Sequence, residues 1–180
     1  MNALIVYGTT DGHTRHVCHY CMDVLREHAA VCTLADAASE QPSPVGFDLC
    51  FLAASLHVGN YQASVVDYAR RYHEDLSNRP SAFISASLSA AGENADDWEG
   101  LTQCVDRFIH QTAWAPLKVH HVAGAIRYSQ YDFFKSLALK FIAKRRGKIT
   151  VRSRDYDLTD YDALRRFVVS FAEQHRGATP

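Results

Sequence analysis

No stretch of this sequence reaches the roughly 18 uninterrupted apolar residues that a membrane-spanning helix needs. Charge of one sign is also missing. The 19 Lys and Arg stand against 20 Asp and Glu, a net charge of −1, so no global field points to nucleic acid. Near-neutrality also sits badly with a small electron carrier that docks its partners by charge. Cysteines lack pairing: Cys18, Cys21, Cys32, Cys50 and Cys104 are odd in number with no signal peptide before them, which argues against a disulfide framework and for a reducing compartment. The opening residues, Met1 to Tyr7, have no basic stretch and run straight into an apolar strand pattern. They read as structure and not as a targeting segment, and the expected compartment is cytosolic. A second Cys-x-x-Cys is absent too. Cys18 and Cys21 therefore have no partners for a zinc site, and both fall on the apolar side of a helical pattern as core residues.

What is present is ordinary for a globular protein. The 180 residues, 47% hydrophobic and 22% charged, fit one domain, 1–180, with a proper core. Strands are predicted at 3–7, 31–34, 48–54, 81–86 and 119–126, and helices at 14–28, 63–76, 97–113 and 161–175. The run DLCFLAA at 48–54 is apolar on both faces, as in a parallel sheet covered by helices. Residues 36–46 hold Pro42 and Pro44 and read as loop. Alternating strands and helices predict an α/β fold, a five-stranded parallel sheet with helices on both faces. One stretch breaks the rhythm. Residues 127–157 form an insertion between the fifth strand and the last helix, where connections of about two to six residues are usual.

In an open sheet of this kind ligands bind beyond the carboxyl ends of the strands. Three loops leave those ends: 8–14, 55–61 and 87–95. The first, Gly8-Thr9-Thr10-Asp11-Gly12-His13-Thr14, follows a strand and opens a helix. Backbone N–H groups and hydroxyls at the positive end of a helix dipole suit a phosphate. The loop is neither a Walker A sequence nor a dinucleotide fingerprint, because its glycines have the wrong spacing. Asp11 or Thr10 is the expected helix cap. No Lys or Arg lies within 8–14, so a phosphate here must be held by N–H groups, hydroxyls and the dipole.

Thr9-Thr10-Asp11-Gly12-His13-Thr14 resembles the flavodoxin phosphate loop. Together with Ala54-Ser55-Leu56-His57-Val58-Gly59-Asn60-Tyr61, Pro80-Ser81-Ala82-Phe83, Ala123-Gly124-Ala125-Ile126-Arg127-Tyr128 and Leu158-Thr159-Asp160-Tyr161, it resembles the menaquinone-dependent protoporphyrinogen IX dehydrogenase family. The resemblance implies a flavodoxin-like fold and an FMN cofactor. It places the phosphate on Thr9, Thr10, Gly12, His13 and Thr14, with Asp11 offering only its backbone, and the flavin ring between Ser55, Leu56, His57, Val58, Gly59, Asn60 and Tyr61 on one side and Ser87, Leu88 and Ser89 on the other. His57 or Tyr61 is expected to flank the ring. The implied reaction oxidises protoporphyrinogen IX to protoporphyrin IX and passes electrons to a membrane quinone, menaquinone or ubiquinone. Arg127 and Tyr128 are the candidates for the substrate carboxylates. No catalytic base is legible.

Within the insertion, Phe134, Leu137, Ala138, Phe141 and Ile142 fall on one helical stripe. Seven basic residues between 127 and 148 face the single acid Asp132, a local charge of +6. A basic amphipathic helix after strand 5 is therefore predicted, and it fits a peripheral contact through 131–148 with the cytoplasmic face of the inner membrane. Rival readings are a flavodoxin-type electron carrier, an NAD(P)H:quinone reductase, and an adaptor domain without cofactor.

Overall fold

The computed structural model describes residues 1–92, 95–126, 151–152 and 155–177. The predicted parallel sheet is there. Strands β1 (Asn2–Gly8), β2 (Val31–Asp36), β3 (Leu49–Ser55), β4 (Ser81–Ser87) and β5 (Lys118–Ala123) lie in the order β2-β1-β3-β4-β5, all parallel. The order reverses at β1, which places the ends of β1 and β3 beside one another at the switch point where such sheets bind ligands.

The period of two along each strand sorts the core into two layers. Ala3, Ile5, Phe51 and Ile84 face α1 (His13–Glu27) and the last helix, named α5 (Tyr161–Gln174), where Val17, Cys21, Leu164, Val168 and Phe171 meet them. Leu4, Val6, Leu52 and Phe83 face α2 (Ala63–Arg71), α3 (His73–Ser77) and α4 (Ala95–Thr112), against Val65, Tyr68, Leu76 and Phe108. Both faces of β1, β3 and β4 are thus closed, which is why their sequences are apolar throughout. Cys18 and Cys21 are fully buried, and burial pushes both thiols up, Cys21 to about 12.

Three differences from the sequence reading concern continuity. The helix expected over 63–76 is broken at Tyr72, whose hydroxyl donates to the Gln41 carbonyl at 3.2 Å, and α3 resumes beyond it. The fifth strand, expected to run through 126, stops at Ala123. Gly124 donates its N–H to the Ser87 carbonyl at 2.9 Å, and a Cβ there would lie 3.4 Å from the Ser87 backbone, so the chain turns over the end of β4. It then enters a small antiparallel sheet that sequence reading missed, formed by β6 (Ala125–Ile126), β7 (Val151–Arg152) and β8 (Asp155–Asp157) in the order β6-β8-β7. The predicted basic helix at 131–148 lies outside the described residues. Among those described, no helix is long and apolar enough to cross a membrane.

Candidate functional site

A cleft of about 380 Å³ opens at the carboxyl ends of β1, β3 and β4, within the size range of small-molecule sites. Its wall comprises Thr9, Asp11, His13 and Thr14 from the first loop, Ser55 to Gly59 from the second, and Ser87, Leu88 and Ser89 from the third. Of the residues expected at the site, Thr10, Gly12, Asn60 and Tyr61 are not in that wall, and Arg127 and Tyr128 lie outside the described residues. Ala86, Gly124 and Ala125 line the cleft without having been singled out. They are small and chemically silent; Ala86 lies near the end of β4, and the turn of the chain at Gly124 brings the other two there.

The first loop is shaped by its glycines. A Cβ on Gly8 would stand 2.6 Å from Val65 Cγ2, so only glycine lets α2 pack against the end of β1. Gly12 takes the N-cap position of α1 with φ of 83°, the left-handed region that glycine adopts freely. The expected cap by Asp11 or Thr10 is therefore corrected. The Gly12 N–H donates instead to Thr9 Oγ1 at 2.9 Å, and Thr10 Oγ1 accepts from Gln62 Nε2 at 3.2 Å. No side chain caps α1 and none of its first-turn residues is acidic, so the N–H groups at the positive end of the dipole are left uncapped at the cleft. Beside it sits Thr14, fully buried, whose hydroxyl has no hydrogen-bond partner among the described residues. A buried hydroxyl without a partner costs about 1–3 kcal/mol. Uncapped N–H groups and an orphaned hydroxyl together fit the phosphate of a flavin nucleotide.

His13 binds a segment near the other end of the chain. Its Nε2 lies 3.0 Å from Thr159 Oγ1 and 3.3 Å from Asp157 Oδ1. Asp157 also accepts from the Tyr161 hydroxyl at 2.6 Å and the Thr159 N–H at 3.0 Å. Burial alone would raise the Asp157 carboxyl. The bonds from His13, Tyr161 and Thr159 outweigh it and hold the group well below the usual carboxylate range.

The second loop is a tight two-residue turn. His57 and Asn60 exchange backbone bonds of 2.8 and 3.0 Å across Val58 and Gly59, whose φ values of 48° and 76° are both left-handed. Arg107 of α4 donates to the Gly59 carbonyl at 3.2 Å, and Asn60 Nδ2 to the Val58 carbonyl at 3.1 Å. This leaves Val58 99% exposed at the mouth of the cleft. Gln62 ties the first two loops together, accepting from the Ser55 N–H at 3.0 Å while bonding Thr10. Tyr61, expected against the flavin ring, turns the other way. It packs edge-on against Phe83 and Phe108, and its hydroxyl pairs with Ser85 Oγ at 2.9 Å in the interior. His57 remains in the wall. In the third loop Ser87 Oγ accepts from the Ala90 N–H at 3.1 Å and curls 89–91 into a short 3₁₀ turn.

Residues 4–153 match the family model described as a flavodoxin domain. A Leishmania major protein named protoporphyrinogen IX dehydrogenase (quinone) is 33% identical over 172 residues, 94% of this chain and 74% of the relative. A protein of the same name from Escherichia coli strain K12 is 26% identical over 173 residues, 96% of this chain and 95% of the relative. Among solved structures, oxidised flavodoxin 1 from Bacillus cereus superposes with a TM-score of 0.58 at 12% identity over 96% of this chain and 98% of its own. A Fusobacterium nucleatum flavodoxin bound to flavin mononucleotide gives 0.53 at 10% identity over 99% of each. At those identities the structures speak to the fold alone.

Proposed function

The chain belongs to the flavodoxin-domain family and, within it, to the protoporphyrinogen IX dehydrogenases (quinone), and on that premise we propose that it oxidises protoporphyrinogen IX to protoporphyrin IX on a bound FMN, with quinone as the electron acceptor. The observation that carries the cofactor reading is the buried, unpartnered Thr14 hydroxyl beside the uncapped first turn of α1. The phosphate is held by Thr9, Thr10, Gly12, His13 and Thr14, chiefly through backbone N–H groups and hydroxyls. Asp11 contributes only its backbone, since its carboxylate would repel a dianion. The ring lies between Ser55 to Asn60 and Ser87 to Ser89. FMN, when bound, supplies the two-electron chemistry, used three times to remove six electrons from the macrocycle.

The protein's part is to position and to admit. Ser87, Leu88 and Ser89 present no large aromatic lid, so this side of the cleft admits a wide, flat substrate. Arg127 and Tyr128 follow directly on β6 and are the proposed contacts for the substrate's propionates. The basic stretch 131–148 is the proposed peripheral contact with the cytoplasmic face of the inner membrane, where menaquinone or ubiquinone resides.

The test is anaerobic. Protein purified with its flavin should be bleached by protoporphyrinogen IX and not by NADPH, and a quinone should restore the colour. The flavin released on denaturation should be FMN. Protein that holds FMN yet fails to oxidise protoporphyrinogen with any quinone would overturn the dehydrogenase reading in favour of electron transfer.

A further inference from the structure

The first loop has an unsolved charge problem. It contains no Lys or Arg, and two carboxylates stand by it: Asp11 in the cleft wall and Asp157 against His13. Among the described residues of the wall, only His13 and His57 can carry positive charge, and His57 sits on the second loop.

The hydrogen-bond directions around His13 are determined by its partners. Thr159 Oγ1 donates its proton to the Ala123 carbonyl at 3.1 Å, so it meets His13 Nε2 with a lone pair. Asp157 Oδ1, the other neighbour of Nε2 at 3.3 Å, is also an acceptor. Nε2 must therefore carry a proton, and Nδ1, which has no partner among the described residues, is the atom left to bind a second one. The carboxylate is itself fixed from three sides by Tyr161 and by the Thr159 backbone and His13. A carboxylate behind an imidazole orients the ring and fixes which nitrogen carries its proton. The other ionisable groups near the ring are Asp11, which shares the cleft, and His16, one turn along α1 with its ring against Tyr161.

We infer that Asp157 and Thr159 hold His13 as an imidazolium whose Nδ1–H binds the flavin phosphate, so that a loop without Lys or Arg gains its cation through contacts made where the insertion ends. His13 is then a binding residue and Asp157 a positioning residue. The inference rests on the reading of this cleft as an FMN site. It adds that cofactor capture takes up a proton and depends on the C-terminal segment being docked.

Equilibrium dialysis of the full-length protein against FMN and against riboflavin, between pH 6.5 and 8.5, tests it. The second phosphate pKa lies near 6, so phosphate titration accounts for less than about a twofold change over that range, and a tenfold change reports the protein. Wild-type affinity for FMN should fall about tenfold as pH rises, the loss of one charge-assisted bond. Riboflavin affinity, lacking the phosphate, should stay level. His13→Gln keeps a donor for Thr159 and removes the charge; it should bind FMN at the high-pH level at every pH, with riboflavin unchanged. Asp157→Asn should flatten the FMN profile in the same way. A merely structural role would weaken both flavins together, and that result overturns the inference. So does an FMN profile in wild type that is level with pH while FMN is still preferred over riboflavin. Failure of wild type to hold either flavin would instead strike the FMN reading itself, and the inference with it.

Discussion

Thr14 separates binding from stability at a single atom. Its hydroxyl is buried and has no partner among the described residues, so the flavin-free protein bears the desolvation cost of a group that the proposed phosphate would satisfy. Thr14→Val preserves the shape and removes the hydroxyl. FMN should bind roughly tenfold to a hundredfold more weakly, while the flavin-free protein gains about 1 kcal/mol in denaturant unfolding. His120 offers a second test at this scale. His120 and His121, adjacent in β5, are both half-buried, and each meets an aromatic: His120 stacks on Phe167 at 4.6 Å, and His121 meets Trp98 edge-on at 5.5 Å. Burial, with His121 beside it, pulls the His120 imidazole down to about 4. An unfolded chain takes up that proton near pH 6.5. The stability tied to His120 is therefore complete above pH 6.5 and lost as pH falls from there towards 4. His120→Gln should remove that part of the acid loss, on the order of 1 kcal/mol after allowing for the ring's partial exposure. Urea titrations at pH 7 and pH 5 would measure it.

At the scale of elements, α2 is the strut of the site. It packs so closely on the end of β1 that Gly8 has no room for a Cβ, and Gln62 at its N-terminus bonds both the first and the second loop. Gly8→Ala should push α2 away, lower stability by about 1–3 kcal/mol and loosen FMN through the displaced loops. Thermal unfolding and a flavin titration on the same variant would show both effects. The basic stretch makes a different prediction. If 131–148 lies on a membrane, each basic residue contributes about 1 kcal/mol at an anionic surface. Changing Lys140, Lys144, Arg145 and Arg146 to Gln should abolish salt-sensitive flotation with anionic vesicles and leave flavin binding intact. Flotation indifferent to these changes would make the segment a solvated cover for the sheet edge.

At the scale of the molecule, substrate choice combines parts that are far apart in the chain. In the proposed reaction the open third loop would set the width that can be admitted, and Arg127, next after β6 in sequence, would set the charge that can be met. Arg127→Ala should raise the apparent KM for protoporphyrinogen about tenfold or more, with dithionite reduction of the flavin unchanged. Steady-state assays with a soluble quinone would resolve the two. An equal fall in kcat with KM constant would place Arg127 elsewhere in the reaction.

Local signals fixed much of this protein without any tertiary information. Apolar runs at period two, separated by helical stripes, specified a parallel sheet with two cores, and the loop from Gly8 to Thr14 reads as a candidate phosphate site through its glycines and hydroxyls. Those features are legible because each is satisfied by neighbours in sequence. Other features are not. Tyr61 reads as a ring-facing aromatic by position, yet a phenol with room beside Phe83, Phe108 and Ser85 gains more from burial than from the cleft. The small sheet of β6, β7 and β8 is too short to show periodicity, and it exists because the chain must turn at Gly124 over the end of β4. That turn decides the remainder. It brings Asp157 and Thr159 across more than 140 positions of sequence to His13, a contact that no local pattern encodes, because the partners are chosen by where the sheet ends and not by what stands next to them.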